Sequence, residues 1–194
     1  MNTNRLVARV SGIYVEPQFF IDGANSNDIV QGALGDCWFL SALSTPSASN
    51  NLIEKFCVAR DEQVGVYGFA FFKNGSWVYV IINDLLFVNV PKFEELAYAE
   101  QQLFHMGKEK YNRTARKGGK NLFLARSGTE NETWVPLIEK AYAKLHVDYT
   151  SLSERLSGEG LEDLTGGVTS MILIKDMGNL TLVAAERPTS KSRV

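Results

Sequence analysis

Residues 31–42 read Gln31-Gly32-Ala33-Leu34-Gly35-Asp36-Cys37-Trp38-Phe39-Leu40-Ser41-Ala42. Gly32 and Gly35 keep the backbone tight up to Asp36. From Cys37 onward, Trp38, Leu40, Ala42 and Leu43 predict a short, mostly buried helix, ended by Pro46 and the polar run to Asn51. Cys37 then falls in the first turn of that helix. A nucleophilic cysteine needs access, a setting that favours thiolate, and hydrogen-bond donors where negative charge develops on a substrate carbonyl. The glycines give access, and the helix N-terminus supplies partial positive charge. The Gln31 amide and the Cys37 backbone N–H supply the donors, each such donor being worth about 3–4 kcal/mol of transition-state stabilisation. The plainer reading is that Cys37 is a small buried hydrophobe beside a core tryptophan.

Upstream of this stretch, Asp22-Gly23-Ala24-Asn25-Ser26-Asn27-Asp28 concentrates turn formers and predicts a loop. Downstream, Leu52 to Phe56 fits a helical turn, and Val66 to Phe72 and Trp77 to Ile82 read as strands joined by a hairpin at Asn74-Gly75. Residues 92–106 carry an amphipathic helical pattern through Phe93, Leu96, Ala97, Leu103 and Phe104. The stretch from Lys108 to Lys120 holds six basic residues and a Gly118-Gly119 break, and reads as a solvated loop rather than a phosphate or lipid-head site. Trp134, Leu137, Ile138, Ala141, Tyr142 and Leu145 recur at helical spacing from about Thr133 to Tyr149, with Pro136 in the first turn. Gly158, Gly160, Gly166 and Gly167 mark a second loop-rich region, in which Glu162 and Asp163 read as loop-capping residues. A short hairpin is expected from Met171–Ile174 and Leu180–Ala184, and a disordered end over the last eight residues.

The 194 residues are 45% hydrophobic, enough for one sizeable core. The net charge of −2 gives no global attraction to nucleic acid or acidic lipid. No apolar run approaches the roughly 20 residues of a membrane span, and Met1 to Val10 does not resemble a signal peptide, so a cytoplasmic chain without nucleic-acid partners is expected. Two cysteines, Cys37 and Cys57, are too few for a disulfide scaffold, and Cys57 reads as core. Asn-x-Ser/Thr triplets at Asn74, Asn112, Asn131 and Asn179 read as chance matches in such a chain.

The segment around Cys37 resembles the active-site segment of papain-like enzymes. With Asp36 directly before the cysteine and Trp38-Phe39-Leu40 after it, it resembles the calpain family in particular. The resemblance extends through Pro17-Gln18-Phe19 to Asp28, through Gly75-Ser76-Trp77-Val78-Tyr79-Val80 and Asn83-Asp84, through Trp134 and Leu137-Ile138-Glu139-Lys140-Ala141-Tyr142-Ala143-Lys144, and through Gly160-Leu161-Glu162-Asp163-Leu164-Thr165-Gly166-Gly167. It implies an α+β fold, the first subdomain of a papain-like calpain core, mainly helical with a small antiparallel sheet. Residues 17–170 would form that subdomain, with an insertion at about 92–126, a 1–16 extension and a divergent 171–194 tail.

The resemblance further implies an intracellular, calcium-dependent endopeptidase acting on protein substrates through a Cys37 acyl-enzyme. Cys37 and Gln31 are then the catalytic residues, and Trp38 packs beside the nucleophile. One Ca2+ would be held by the carbonyls of Ile21 and Gly23 and the carboxylates of Asp28 and Glu132, a donor set of the kind calcium takes. The plainer roles are a turn or cap for Asp28 and a helix N-terminal acid for Glu132. The family's histidine and asparagine lie on a second subdomain. Beyond Gly167 the pattern departs from the family, and no segment resembles those of its histidine or its Asn-Pro-Trp asparagine. His105 and His146 match neither and read as structural or solvent-exposed. The expectation is a truncated or degenerate core with little or no peptidase activity alone. The alternative is a non-catalytic calcium-binding or protein-interaction relic.

Overall fold

The computed structural model describes residues 6–24, 28–47, 52–153 and 155–170. The hairpin expected after 171, the 171–194 tail, and Asn25, Ser26 and Asn27 of the Gly/Asp/Asn loop lie outside the described residues. The chain opens with β1 (Leu6–Arg9) and a single helical turn, α1 (Val10–Ile13), followed by the two-residue strand β2 (Ile29–Val30). Then come α2 (Cys37–Ser47), α3 (Leu52–Phe56), β3 (Cys57–Asp61), β4 (Val66–Lys73), β5 (Ser76–Asn83) and β6 (Leu85–Val88). The second half is α4 (Tyr98–Leu103), α5 (Lys108–Thr114), β7 (Arg126–Ser127), α6 (Trp134–Leu145) and α7 (Ser157–Thr165). This is the expected α+β mixture, with antiparallel sheets that stay small: β1 with β6, β2 with β7, and β3-β4-β5.

The hairpin between β4 and β5 follows directly from its turn residues. Asn74 and Gly75 take φ of 52° and 82°, as a two-residue turn between twisted strands requires, and Lys73 pairs with Ser76. On the inner face Tyr67, Phe69, Phe71, Val80 and Ile82 are buried. Fully burying a side chain of that size contributes roughly 1.5–3 kcal/mol. β5 is an edge strand, and α6 covers its free carbonyls: Lys144 Nζ donates to Ile81 O at 2.7 Å and Lys140 Nζ to Asn83 O at 2.9 Å. Such cover blocks the edge against pairing with another chain.

The central helix is α6. Its sequence predicts one apolar face, but residues 134–139 and 141–143 are all buried, so the core wraps it on several sides. Phe39 of α2 stacks on Tyr142 with centroids 3.9 Å apart and planes 6° from parallel. Trp38 meets the same tyrosine edge-on and donates its indole N–H to Leu152 O at 2.6 Å, confirming its packing role.

Four local expectations need correction. The periodic stretch 92–106 is not one helix: a 3-10 turn at Phe93–Glu95 precedes α4, and Leu103 stands 76% exposed. Its neighbour 108–120 is not all loop, because α5 forms where Tyr111 buries its ring against Phe93 and Phe104 and donates its hydroxyl to Pro91 O. The Gly-rich region 157–165 is helical, α7, and stops at Gly166 in the left-handed conformation. Residues 6–16, expected as an extension, are built into the core through β1 and through buried Val10, Ile13 and Tyr14.

The reason α7 escapes a local reading is its contact with α2. A Cβ on Gly160 would stand 2.7 Å from the Ala42 Cβ and 3.4 Å from the Trp38 ring, so only glycine permits this helix–helix approach. Gly160→Ala is therefore expected to cost about 1–3 kcal/mol, read as a lower denaturation midpoint at unchanged slope.

Candidate active site

Cys37 begins α2 and is exposed, whereas Cys57 is half-buried at the start of β3, packed against the core rather than within it. Burial pushes the Cys57 thiol above its ordinary range. The exposure of Cys37 overturns the plainer reading of it as a buried hydrophobe. Helix geometry leaves the first-turn N–H groups without partners inside the helix, and they face the same end as the thiol. Asp36 O closes that first turn, accepting from Phe39 N–H at 2.8 Å and Leu40 N–H at 3.2 Å.

Gln31 lies in the same shallow groove, a 220 Å³ depression lined by Ile29, Gln31, Cys37, Leu40, Ser41 and Ser44. The structure thus brings together the two residues expected to act in catalysis. Gln31 Nε2 donates to Leu34 O at 3.2 Å, which holds the side chain over its own loop. Its backbone is fixed from both sides. β2 pairs with β7 just before it, and Ala33 N–H donates to Phe123 O at 2.9 Å just after it. Gly32 lies so close to the 122–127 segment that a Cβ would stand 2.3 Å from Leu124 C and O.

Beneath the groove lie two acids to which the sequence reading gave no role. Asp36 and Glu139 are both fully buried, and Glu139 Oε2 accepts the Ala125 N–H at 2.9 Å. Burial raises both carboxyls, Glu139 far above the usual carboxylate range, and the charge of Asp36 raises Glu139 further. The signal available in the sequence was a glutamate one residue after Ile138 inside an apolar helical repeat.

Neither histidine lines the groove. His105 is exposed in the turn after α4 with φ of 52°. His146 is buried, packs its ring at a tilt against Tyr142, and sets Nε2 3.2 Å from Asp163 Oδ2, which also receives Lys73 Nζ at 2.8 Å and the Tyr142 hydroxyl at 2.9 Å. Asp163 is thus the hub of a network joining β4, α6 and α7, and not a loop cap. Burial works against its ionisation, but hydrogen bonds from His146, Lys73 and Tyr142 outweigh it and hold the carboxyl below its usual range.

Of the expected calcium residues, Glu132 is fully buried just before α6. Its Oε1 accepts the Ile21 N–H at 2.8 Å, and its Oε2 accepts from Ser127 Oγ and from Trp134 Nε1. Burial raises its carboxyl above the usual range, and the nearby charge of Asp28 adds to this. Asp28 Oδ1 receives the Thr129 hydroxyl at 3.0 Å and Asp28 O the Gly128 N–H at 2.7 Å. Gly23 has φ of 86°. Among the described residues no three His, Cys, Asp or Glu side chains form a metal-holding group. The expected set contains only two carboxylates.

An exposed cysteine at a helix N-terminus thus shares a groove with a glutamine held by backbone pairing on either side. The family model of calpain family cysteine proteases matches residues 5–191, and the chain belongs to that family. The matched span begins earlier and ends later than the motifs on which the resemblance was read. The chain is similar to the calpain-1 catalytic subunits of Bos taurus (34% identity) and Homo sapiens (33%), over 187 residues that cover 92% of this chain. That of Gallus gallus is 34% identical over the same extent. The match spans 22% of the length of these relatives. Among the described residues no helix is long and apolar enough to cross a membrane.

Two expectations follow. Gly32→Ala forces a Cβ into the Leu124 backbone and costs about 3 kcal/mol, measurable by chemical denaturation. The depressed Asp163 carboxyl contributes stability that is present above its unfolded value of about 3.9 and is lost as pH falls through its folded value. Asp163→Asn should lower the melting temperature at neutral pH and flatten its fall in acid, read by thermal melts across the acid range.

Proposed function

We propose that this chain carries the nucleophile half of a calcium-dependent, intracellular cysteine endopeptidase that hydrolyses peptide bonds in protein substrates. The observation that carries this reading is the shared groove of Cys37 and Gln31, with the exposed thiol on the first turn of α2. The Cys37 thiolate attacks the scissile carbonyl carbon, and charge develops on the carbonyl oxygen against the Gln31 amide and the Cys37 N–H. Collapse to the acyl-enzyme requires a proton for the departing amine, and deacylation requires an activated water. His146 is committed to Asp163 and His105 lies off the groove. We assign the base and its orienting asparagine to a second core subdomain that completes the cleft. The 194-residue chain alone should be alkylated at Cys37 and turn over peptides little or not at all.

Ile21 and Gly23, through their carbonyls, and Asp28 and Glu132, through their carboxylates, are the residues that would hold one calcium ion. Their fit is supported by the proximity of the two like-charged carboxylates and by the Ile21–Glu132 hydrogen bond that draws the loop onto α6. Bound calcium supplies the positive charge this carboxylate pair calls for. The loop leading to Gln31 would then be fixed to the start of α6.

A second reading, a non-catalytic interaction module, draws on the exposed apolar stripe of Trp77, Tyr79 and Ile81 along β5.

Iodoacetamide labelling and calcium calorimetry test the proposal. Labelling should concentrate on Cys37 and vanish in Cys37→Ser, and calcium binding should vanish in Asp28→Ala and in Glu132→Ala. A folded parent chain that takes up neither reagent nor calcium would sink the protease reading in favour of the interaction module. In the assembled enzyme Gln31→Ala should lower kcat by about 10²–10³-fold.

A further inference from the structure

Asp36 immediately precedes Cys37 in sequence, yet its side chain points the other way, into the core. It is 0% exposed, as is Glu139 of α6. Among the described residues, Asp36 Oδ1, Asp36 Oδ2 and Glu139 Oε1 are buried without a hydrogen-bond donor, and the fourth oxygen is met by the Ala125 N–H. The two carboxyls are nonetheless within hydrogen-bonding reach of each other. Two carboxylates have no hydrogen to offer one another, and two adjacent buried charges without a counter-ion cost several kcal/mol each. Protonating one of them supplies the missing donor and removes one of the charges, as in other carboxyl dyads that cannot both ionise.

We infer that Asp36 and Glu139 share one proton, and that this protonated pair is the positioning element that sets the start of the nucleophile helix against α6. This rests on the protease reading for its functional meaning, but not for its chemistry. The groups bearing on the pair are few. Asp36 immediately precedes α2 and Glu139 lies on α6, the Ala125 amide comes from the segment before β7, and among the described residues Tyr149, after α6, is a further titratable group that feels both acids. The Ala125 bond extends the joint. It fixes the 122–127 segment, whose Phe123 and Leu124 backbone in turn fixes Gly32 and Ala33 beside Gln31. One proton therefore sits where nucleophile, oxyanion donor and central helix meet. Its loss to solvent at alkaline pH leaves two buried charges directly behind Cys37 and loosens all three.

The sign of the pH effect is opposite to that of Asp163. A carboxyl whose folded value lies above its unfolded one stabilises the fold at low pH, and that contribution is lost as pH rises from the unfolded value, about 4, through the folded one. One proton's difference corresponds to a fall in Tm of about 3–5 °C per pH unit for a chain of this size.

The experiment compares the chain with Glu139→Gln and with the double variant Asp36→Asn/Glu139→Gln, in which one amide N–H donates to the other's carbonyl without any titrating group. All three carry Cys57→Ser so that alkylation reports Cys37 alone. The parent should lose Tm on going from pH 5 to alkaline pH by the slope just given, and the double variant should lose that slope while keeping its fold. Infrared spectra of the parent at neutral pH should contain a protonated carboxyl band that is absent from Glu139→Gln, that persists while Tm falls, and that disappears only at the pH where the Tm slope levels off. Cys37 alkylation in the parent should drop below that of the double variant at alkaline pH. Equal pH slopes in parent and double variant, or no protonated carboxyl band in the parent, would overturn the shared proton. Should the double variant not fold, the infrared comparison of the parent with Glu139→Gln decides alone. Failure of Cys37 to react in any variant would count against the protease reading while leaving the Tm and infrared outcomes to judge the pair.

Discussion

Phe39 lying flat on Tyr142 at 3.9 Å is the contact from which the rest of the structure is organised. It fixes α2 along the central helix, so that the N-terminus of α2 emerges at the surface with Cys37 exposed while Trp38, Phe39 and Leu40 are buried immediately behind it. The next layer is built on the same tyrosine. Phe71 from β4 and Trp38 meet its ring edge-on, and its hydroxyl donates to Asp163 of α7. A helix that must expose its first residue and bury the next three has little freedom to rotate. That constraint turns a packing contact into a determinant of the site.

The groove is then assembled by backbone rather than by side chains. β2 with β7 and Ala33 with Phe123 hold the chain on either side of Gln31, and the close approach of Gly32 to Leu124 leaves no space for a side chain. The segment 122–127 is therefore shared by two functions. It holds Gln31 on one side, and through Ser127 and Arg126 it lies beside Glu132 and the loop from Ile21 on the other. A change at Glu132 reaches the backbone beside Gln31 through Ser127, the 122–127 segment and its hydrogen bonds to β2 and Ala33. Communication between the proposed cation site and the groove thus needs no long pathway.

Charge inside this fold is handled in two different ways. Asp163 stays ionised because Lys73, His146 and Tyr142 supply donors, and the network fastens β4, α6 and α7 together. Among the described residues the Ala125 amide is the one donor that meets Asp36 and Glu139, and the inferred shared proton takes the place of a cation. Low dielectric makes both solutions firm and makes both sensitive to pH, in opposite directions. His146, which matches no catalytic segment in the sequence, is held in the first of these networks.

What the sequence by itself determined is the part governed by short-range chemistry. The Asn74-Gly75 turn, the strands flanking it, the helix from Trp134 and the motifs that mark the family all follow from residues close together in the chain. Tertiary structure alone decided the rest. α7 exists despite its glycines because Gly160 lets it touch Ala42, and α5 is held by Tyr111 inserted between Phe93 and Phe104. Residues 6–14 join the core by pairing with a strand nearly eighty positions away. Asp36 and Glu139, a hundred residues apart, acquire their meaning only when both lose water at the same point. Local propensity has no term for a partner distant in sequence, and burial, which sets the cost of every unpaired charge, is a property of the folded chain alone.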